Sequence, residues 1–136
     1  MRYNYYGMGE FIRNCASLVY TKVFFRKARL IRLPVYIRQK HKLKYGKGFT
    51  VGYNSRIDMV GDEIGDKLIL GENCIIGDNC QISAGKMIKI GNNLLMARNV
   101  YISDISHGQY NIGDESSPEV PPNDRPLTMK EINYWR

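Results

Sequence analysis

An aliphatic residue followed by a small one recurs every six residues through the middle of this chain. The pairs are Leu70-Gly71, Ile76-Gly77, Ile82-Ser83, Ile90-Gly91, Met96-Ala97 and Ile102-Ser103, with one slip of two residues between Ile82 and Ile90. Four residues after the aliphatic position stands a second apolar one: Cys74, Cys80, Leu94 and Val100. Between them lie Glu72-Asn73, Asp78-Asn79, Asn92-Asn93 and Arg98-Asn99. A short fixed period of this kind points to a solenoid, whose units bury their apolar faces only by stacking. Upstream, Val51-Gly52 and Ile57 keep the beat. Ile64-Gly65 also fits the count, although residues 61–66 read equally well as a loop.

In an extended chain, side chains alternate between the two faces, so residues four apart point the same way. That side is the core, because it collects Leu70, Cys74, Ile76, Cys80 and Ile82. The chain must turn tightly between strands, and Gly, Asn and Asp tolerate the positive φ that such corners need. Each hexad is therefore a short strand plus a corner, and three of them close one triangular coil. The expected fold class is an all-β solenoid, preceded by an N-terminal helical and basic segment. On this reading, residues 1–44 are an amphipathic helix and basic segment and residues 45–102 carry the hexads. Residues 103–136 are a long loop and the C-terminal end.

At 136 residues the chain has the length of one domain and buries a modest core. Three cysteines are too few and too unevenly spaced for a disulfide framework. Cys74 and Cys80 occupy equivalent inward places and read as small core residues; Cys15 belongs to another element. No segment looks like a signal peptide or is apolar for long enough to span a bilayer, so a reducing cytoplasmic setting is expected. The net charge of +7 is concentrated between Lys22 and Lys47. This basic run follows an apolar stretch from Phe11 to Phe25, in which Phe11, Cys15, Leu18, Val19 and Val23 share a helical face. Two roles fit: peripheral contact with the inner face of the cytoplasmic membrane, or a helix covering the open end of the solenoid. Nucleic acid is not expected as a partner, since Tyr36 and Tyr45 interleave the charges without forming a binding module.

After Ile102 the beat stops. Residues 103–128 are polar, contain Pro118, Pro121, Pro122 and Pro126, and open with Ser103-Asp104-Ile105-Ser106-His107-Gly108. Loops of this length in a compact domain are usually functional or disordered. His107 is one of two histidines; the other, His41, lies in the basic segment.

The hexads and this loop together resemble the hexapeptide-repeat acyltransferases, whose fold is a left-handed parallel β-helix. Residues 20–38, 100–110 and 122–127 look like the matching segments of the O-acetyltransferases that act on lipopolysaccharide O-antigen or capsule sugars, which are similar to the maltose and galactoside acetyltransferases. The resemblance implies transfer of an acetyl group from acetyl-CoA to a hydroxyl of a sugar or lipid-linked glycan, without a metal. It implies that His107 is the general base, a role suited to imidazole, which titrates near neutrality as a residue type. Asp104 would orient the imidazole, hold the acceptor, or merely turn a corner. Tyr110 and Arg125 would line the acceptor groove. It also implies a homotrimer with active sites between neighbours, formed through Tyr101, Ile105 and the loop.

Two departures stand out. The Asn and Asp with which the galactoside and maltose branch grips its sugar fall, by counting back from His107, on Gly77 and Gly85. The family also resumes its hexads after the loop to build the coenzyme A groove, whereas residues 131–136 carry no Gly corner. A C-terminally truncated form with roughly three coils is expected on that basis. The alternative function is a catalytically silent β-helix module that binds a partner or glycan through its basic end. The γ-class carbonic anhydrases share the fold but need a set of metal-binding histidines.

Overall fold

A computed structural model of the chain describes residues 7–134. Helix α1 (Met8–Phe24) leads into a first round of three strands, β1 (Leu30–Ile31), β2 (Val35–Arg38) and β3 (Leu43–Tyr45). A second round follows with β4 (Thr50–Val51), β5 (Ser55–Met59) and β6 (Leu68–Leu70), and a third with β7 (Ile75–Ile76), β8 (Gln81–Ala84) and β9 (Ile88–Ile90). The fourth begins with β10 (Leu95–Met96) and β11 (Tyr101–Ser103). It is interrupted by the hairpin strands β12 (Ile105–His107) and β13 (Leu127–Met129), and resumes with β14 (Ile132–Tyr134).

Strands at the same place in successive rounds pair in parallel. The first sheet runs β1-β4-β7-β10, the second β2-β5-β8-β11 and the third β3-β6-β9-β14. Register places Val51 beside Ile76, Ile57 beside Ile82, and Leu68 beside Ile88. All six side chains are buried in one core shared by the three sheets, with Cys74 and Cys80 among them as free thiols. The arrangement is mostly parallel sheet with one helix, and it is compatible with a parallel β-helix.

The slip in the hexads has a place in this architecture. Ile76 to Ile82 is six residues, Ile82 to Ile90 eight, and Ile90 to Met96 six. The same sequence of steps joins Ile31, Ile37, Tyr45 and Val51 in the first round. The extra two residues thus belong to the corner between the second and third sheets, and the insertions fall there too. One is the loop around residues 60–66, where Ile64 is fully exposed; the other is the excursion between β11 and β14. The other corners are built on Asn54, Asn73, Asn79, Asn93 and Asn99, whose φ angles lie between 55° and 61°. In that left-handed region a side chain without Asn's local polar contacts costs about 1–2 kcal/mol.

The sheets draw on more of the chain than the hexads announced. The basic segment supplies the whole first round, with Ile31 and Leu43 inward and Arg38 and Lys44 outward. Residues 132–134 rejoin the third sheet, opposite Ile88, Lys89 and Ile90. Strands therefore lie in all three of the segments divided at residues 44 and 102.

Helix α1 covers the outer edge of β1, and it does so with its polar side. Thr21 Oγ1 accepts the Ile31 N–H at 2.8 Å, and Ser17 Oγ accepts the Leu33 N–H at 3.0 Å. Both side chains are completely buried. An edge strand leaves backbone N–H groups without acceptors, and these two hydroxyls supply them. Behind the helix, Phe25 and Phe49 are buried in a chain of tilted rings that runs Tyr20, Phe25, Tyr45, Phe49 with centroids 5.1 to 6.0 Å apart.

Candidate active site

The long excursion folds back as an antiparallel hairpin in which His107 lies opposite Leu127 and Ile105 opposite Met129. Gly108 follows His107 with φ at 103°, and a Cβ there would meet Ser116 Oγ at 2.7 Å. Only glycine fits that turn without strain. The Gly108 N–H bonds the Pro126 carbonyl, and the Tyr110 hydroxyl donates to the His107 carbonyl at 3.0 Å. These bonds hold the backbone of His107 at the rim of the second sheet.

There His107 lines a cleft of about 400 Å³ together with Arg38, Asp58, Ser83, Tyr101 and Ile105. Its floor is the outward face of the second sheet. Arg38, Asp58, Ser83 and Ser103 stand in register on β2, β5, β8 and β11, one above another. Arg56 Nε donates to Asp58 Oδ2 at 2.8 Å, while Asp58 Oδ1 lies 3.5 Å from Arg38 Nε. Oδ1 is buried and has no hydrogen-bond partner among the described residues. Such an oxygen costs free energy unless a donor reaches it.

The other expected site residues lie elsewhere. Asp104 is a corner residue: its Oδ1 accepts the Gly85 N–H at 2.6 Å and its Oδ2 accepts those of Lys86 and Met87 at 2.9 and 2.8 Å. A buried carboxylate holding three backbone donors has little capacity left for an imidazole or a substrate. Tyr110 and Asp104 together line a separate hollow of about 300 Å³, with Ser103, Gln109, Thr128 and Lys130. Arg125 closes the loop on itself, donating to the carbonyls of Val120 at 2.7 Å and Pro118 at 3.4 Å. At Gly77 a Cβ would press on the Ala97 backbone at 2.8 Å, and at Gly85 on Ile105 and Met129 at 2.7 and 2.8 Å. Neither place has room for a sugar-gripping side chain.

Arg38, Asp58 and Ser83 escaped the sequence reading because they stand twenty and twenty-five residues apart in three different rounds. Their outward alternation with Ile37, Ile57 and Ile82 was the available signal, but the register between rounds depends on corner lengths. Among the described residues, no group of three or more His, Cys, Asp or Glu side chains is gathered in a way that would hold a metal ion.

Comparison with known proteins adds one relative. Over 128 residues, 93% of the chain, it is 35% identical to "Putative lipopolysaccharide biosynthesis O-acetyl transferase WbbJ" of Escherichia coli (strain K12). The chain is similar to WbbJ over that span. The resemblance read from residues 20–38, 100–110 and 122–127 agrees with this match. The chain spans 64% of WbbJ's length. No family model and no solved structure matches it.

Proposed function

We propose that the chain is an acetyl-CoA-dependent O-acetyltransferase, built as a left-handed parallel β-helix, that modifies a sugar hydroxyl in surface polysaccharide. The observation that carries the reading is His107 at the rim of a polar cleft, in a relative of WbbJ. The imidazole takes the proton of the acceptor hydroxyl as that oxygen attacks the thioester carbonyl. The carbon–sulfur bond then breaks, and the coenzyme A thiolate leaves and takes up the proton. General-base help of this kind is worth about 10²- to 10⁴-fold in rate, and alignment of the two substrates supplies much of the rest. Asp58 Oδ1, buried and short of a donor, would accept from a second hydroxyl of the acceptor, with Arg38 beside it. Exposed Tyr101 and Leu127 beside the cleft fit a homotrimer in which a neighbouring copy covers it. Free Cys74 and Cys80 fit a reducing, cytoplasmic setting.

The test is release of free thiol from acetyl-CoA across a panel of sugar and lipid-linked glycan acceptors, with His107→Ala and Asp58→Asn alongside. The proposal expects acceptor-dependent turnover that falls at least a hundredfold in His107→Ala. It expects Asp58→Asn to raise KM for the acceptor more than it lowers kcat. Failure to bind coenzyme A in calorimetry would overturn it in favour of a catalytically silent module.

A further inference from the structure

Helix α1 is docked with its apolar side outward. The buried side chains on it are Ser17 and Thr21. The opposite side presents Met8, Phe11, Ile12, Val19 and Val23, each between 58% and 75% exposed, with exposed Cys15 among them. Lys22 is the one charged residue on that outer half. A helix in water normally arranges the reverse, and contiguous exposed apolar surface marks an interaction site. Crossing a bilayer is not its role, because no described helix is long and apolar enough.

A second feature says what covers it. At the C-terminal end of α1 opens a cleft of about 900 Å³ lined by Lys22, Arg26, Lys27, Arg29 and Lys47, with Glu72 as its one acidic residue. None of these five cations forms an ion pair among the described residues, although Arg38, Lys44, Arg56 and Lys67 elsewhere do. An apolar helical face beside a group of unpaired cations matches a surface that is apolar within and anionic at its boundary. A second copy of the chain would bring the same five cations to the contact and be repelled.

We propose that α1 lies in the interface of an anionic phospholipid bilayer, its apolar side among the acyl chains and the basic cleft against the headgroup phosphates. Each cation held near such a surface strengthens binding by roughly fivefold, and the apolar side adds its buried area. This inference does not depend on the acetyltransferase reading, since it uses neither His107 nor its cleft.

The experiment uses the full chain with vesicles of phosphatidylglycerol and phosphatidylcholine, or of phosphatidylcholine alone. Cys15 is exposed on the outer half of α1 while Cys74 and Cys80 are buried, so an environment-sensitive fluorophore on Cys15 reports insertion. Expected results are co-sedimentation with anionic vesicles, a blue shift of the fluorophore, and binding at least tenfold weaker to neutral vesicles or in high salt. Val19→Asp with Val23→Asp should abolish the blue shift, and Arg26→Ala with Lys27→Ala should weaken binding at least tenfold. Circular dichroism checks that these surface variants remain folded. Absence of binding to anionic vesicles overturns the proposal. So does an oligomer, seen by light scattering, that the Val19→Asp, Val23→Asp variant dissolves while vesicles remain unbound; the face would then be a contact between copies.

Discussion

Replacing Thr21 with Val tests the least expected feature of this fold, a helix that docks through its hydroxyls. The two side chains have nearly the same shape, so packing is kept and the hydroxyl alone is lost. Its oxygen accepts the Ile31 N–H at 2.8 Å and donates to the Ser17 carbonyl at 2.6 Å, in a completely buried setting. The donated bond matters little, because that carbonyl also serves the helix. The accepted bond matters more: without it a backbone N–H is orphaned away from water, at a cost of about 1–3 kcal/mol. We therefore expect Thr21→Val to lose about 2 kcal/mol in urea denaturation with an unchanged m value, and about 7 °C in Tm. Exchange of the Ile31 amide should accelerate selectively. Val19→Asp, on the exposed outer side, should change stability by no more than about 0.5 kcal/mol. A helix docked by its apolar face would give the opposite order, with Val19→Asp severe and Thr21→Val neutral. That reversed order would refute the docking described here, and with it the interfacial role of α1.

Three other expectations follow from individual positions. Gly108→Ala meets both a φ of 103° and a Cβ contact of 2.7 Å with Ser116 Oγ, so it should cost about 1–3 kcal/mol and displace His107. Thermal melts would show the first effect and thiol release from acetyl-CoA the second. Asn79→Ala, at a corner with φ of 55°, should lose about 1 kcal/mol whereas Asn79→Gly should lose less, which denaturant midpoints can resolve. Burial raises the pKa of the Cys74 thiol and of the Tyr45 hydroxyl above their ordinary 9.0 and 10.0. Both groups are protonated in both states well below pH 9, so they leave stability there unaffected. Above it the unfolded chain sheds these protons first and binds fewer than the native state, so stability falls as pH rises. Cys74→Ala should flatten the first part of that decline in denaturation measured from pH 8 to 10.5.

What could be read directly from the chain was local. Which side of a strand faces the core follows from alternation, so Leu70, Cys74, Ile76, Cys80 and Ile82 declared themselves. Which residues turn corners follows from backbone sterics, so Asn73, Asn79, Asn93 and Asn99 did too. The first round was obscured because Arg38, Lys40 and Lys44 crowd the outward positions between Ile37 and Tyr45, and a charge run conceals alternation. Residues 132–134 were obscured because three residues are too few to establish a period.

The rest was decided between distant parts of the chain. Register from one round to the next depends on corner lengths, and it is register that lines up Arg38, Asp58 and Ser83 beneath His107. Competition for a buried donor set Asp104 to holding three backbone N–H groups instead of facing the cleft. An amphipathic pattern tells that a helix has an apolar side but not which way that side faces. Here the hydroxyls of Ser17 and Thr21 face inward, where they accept the Leu33 and Ile31 N–H groups that would otherwise be buried without a partner, and that contact exists only once the helix and the first strand have met.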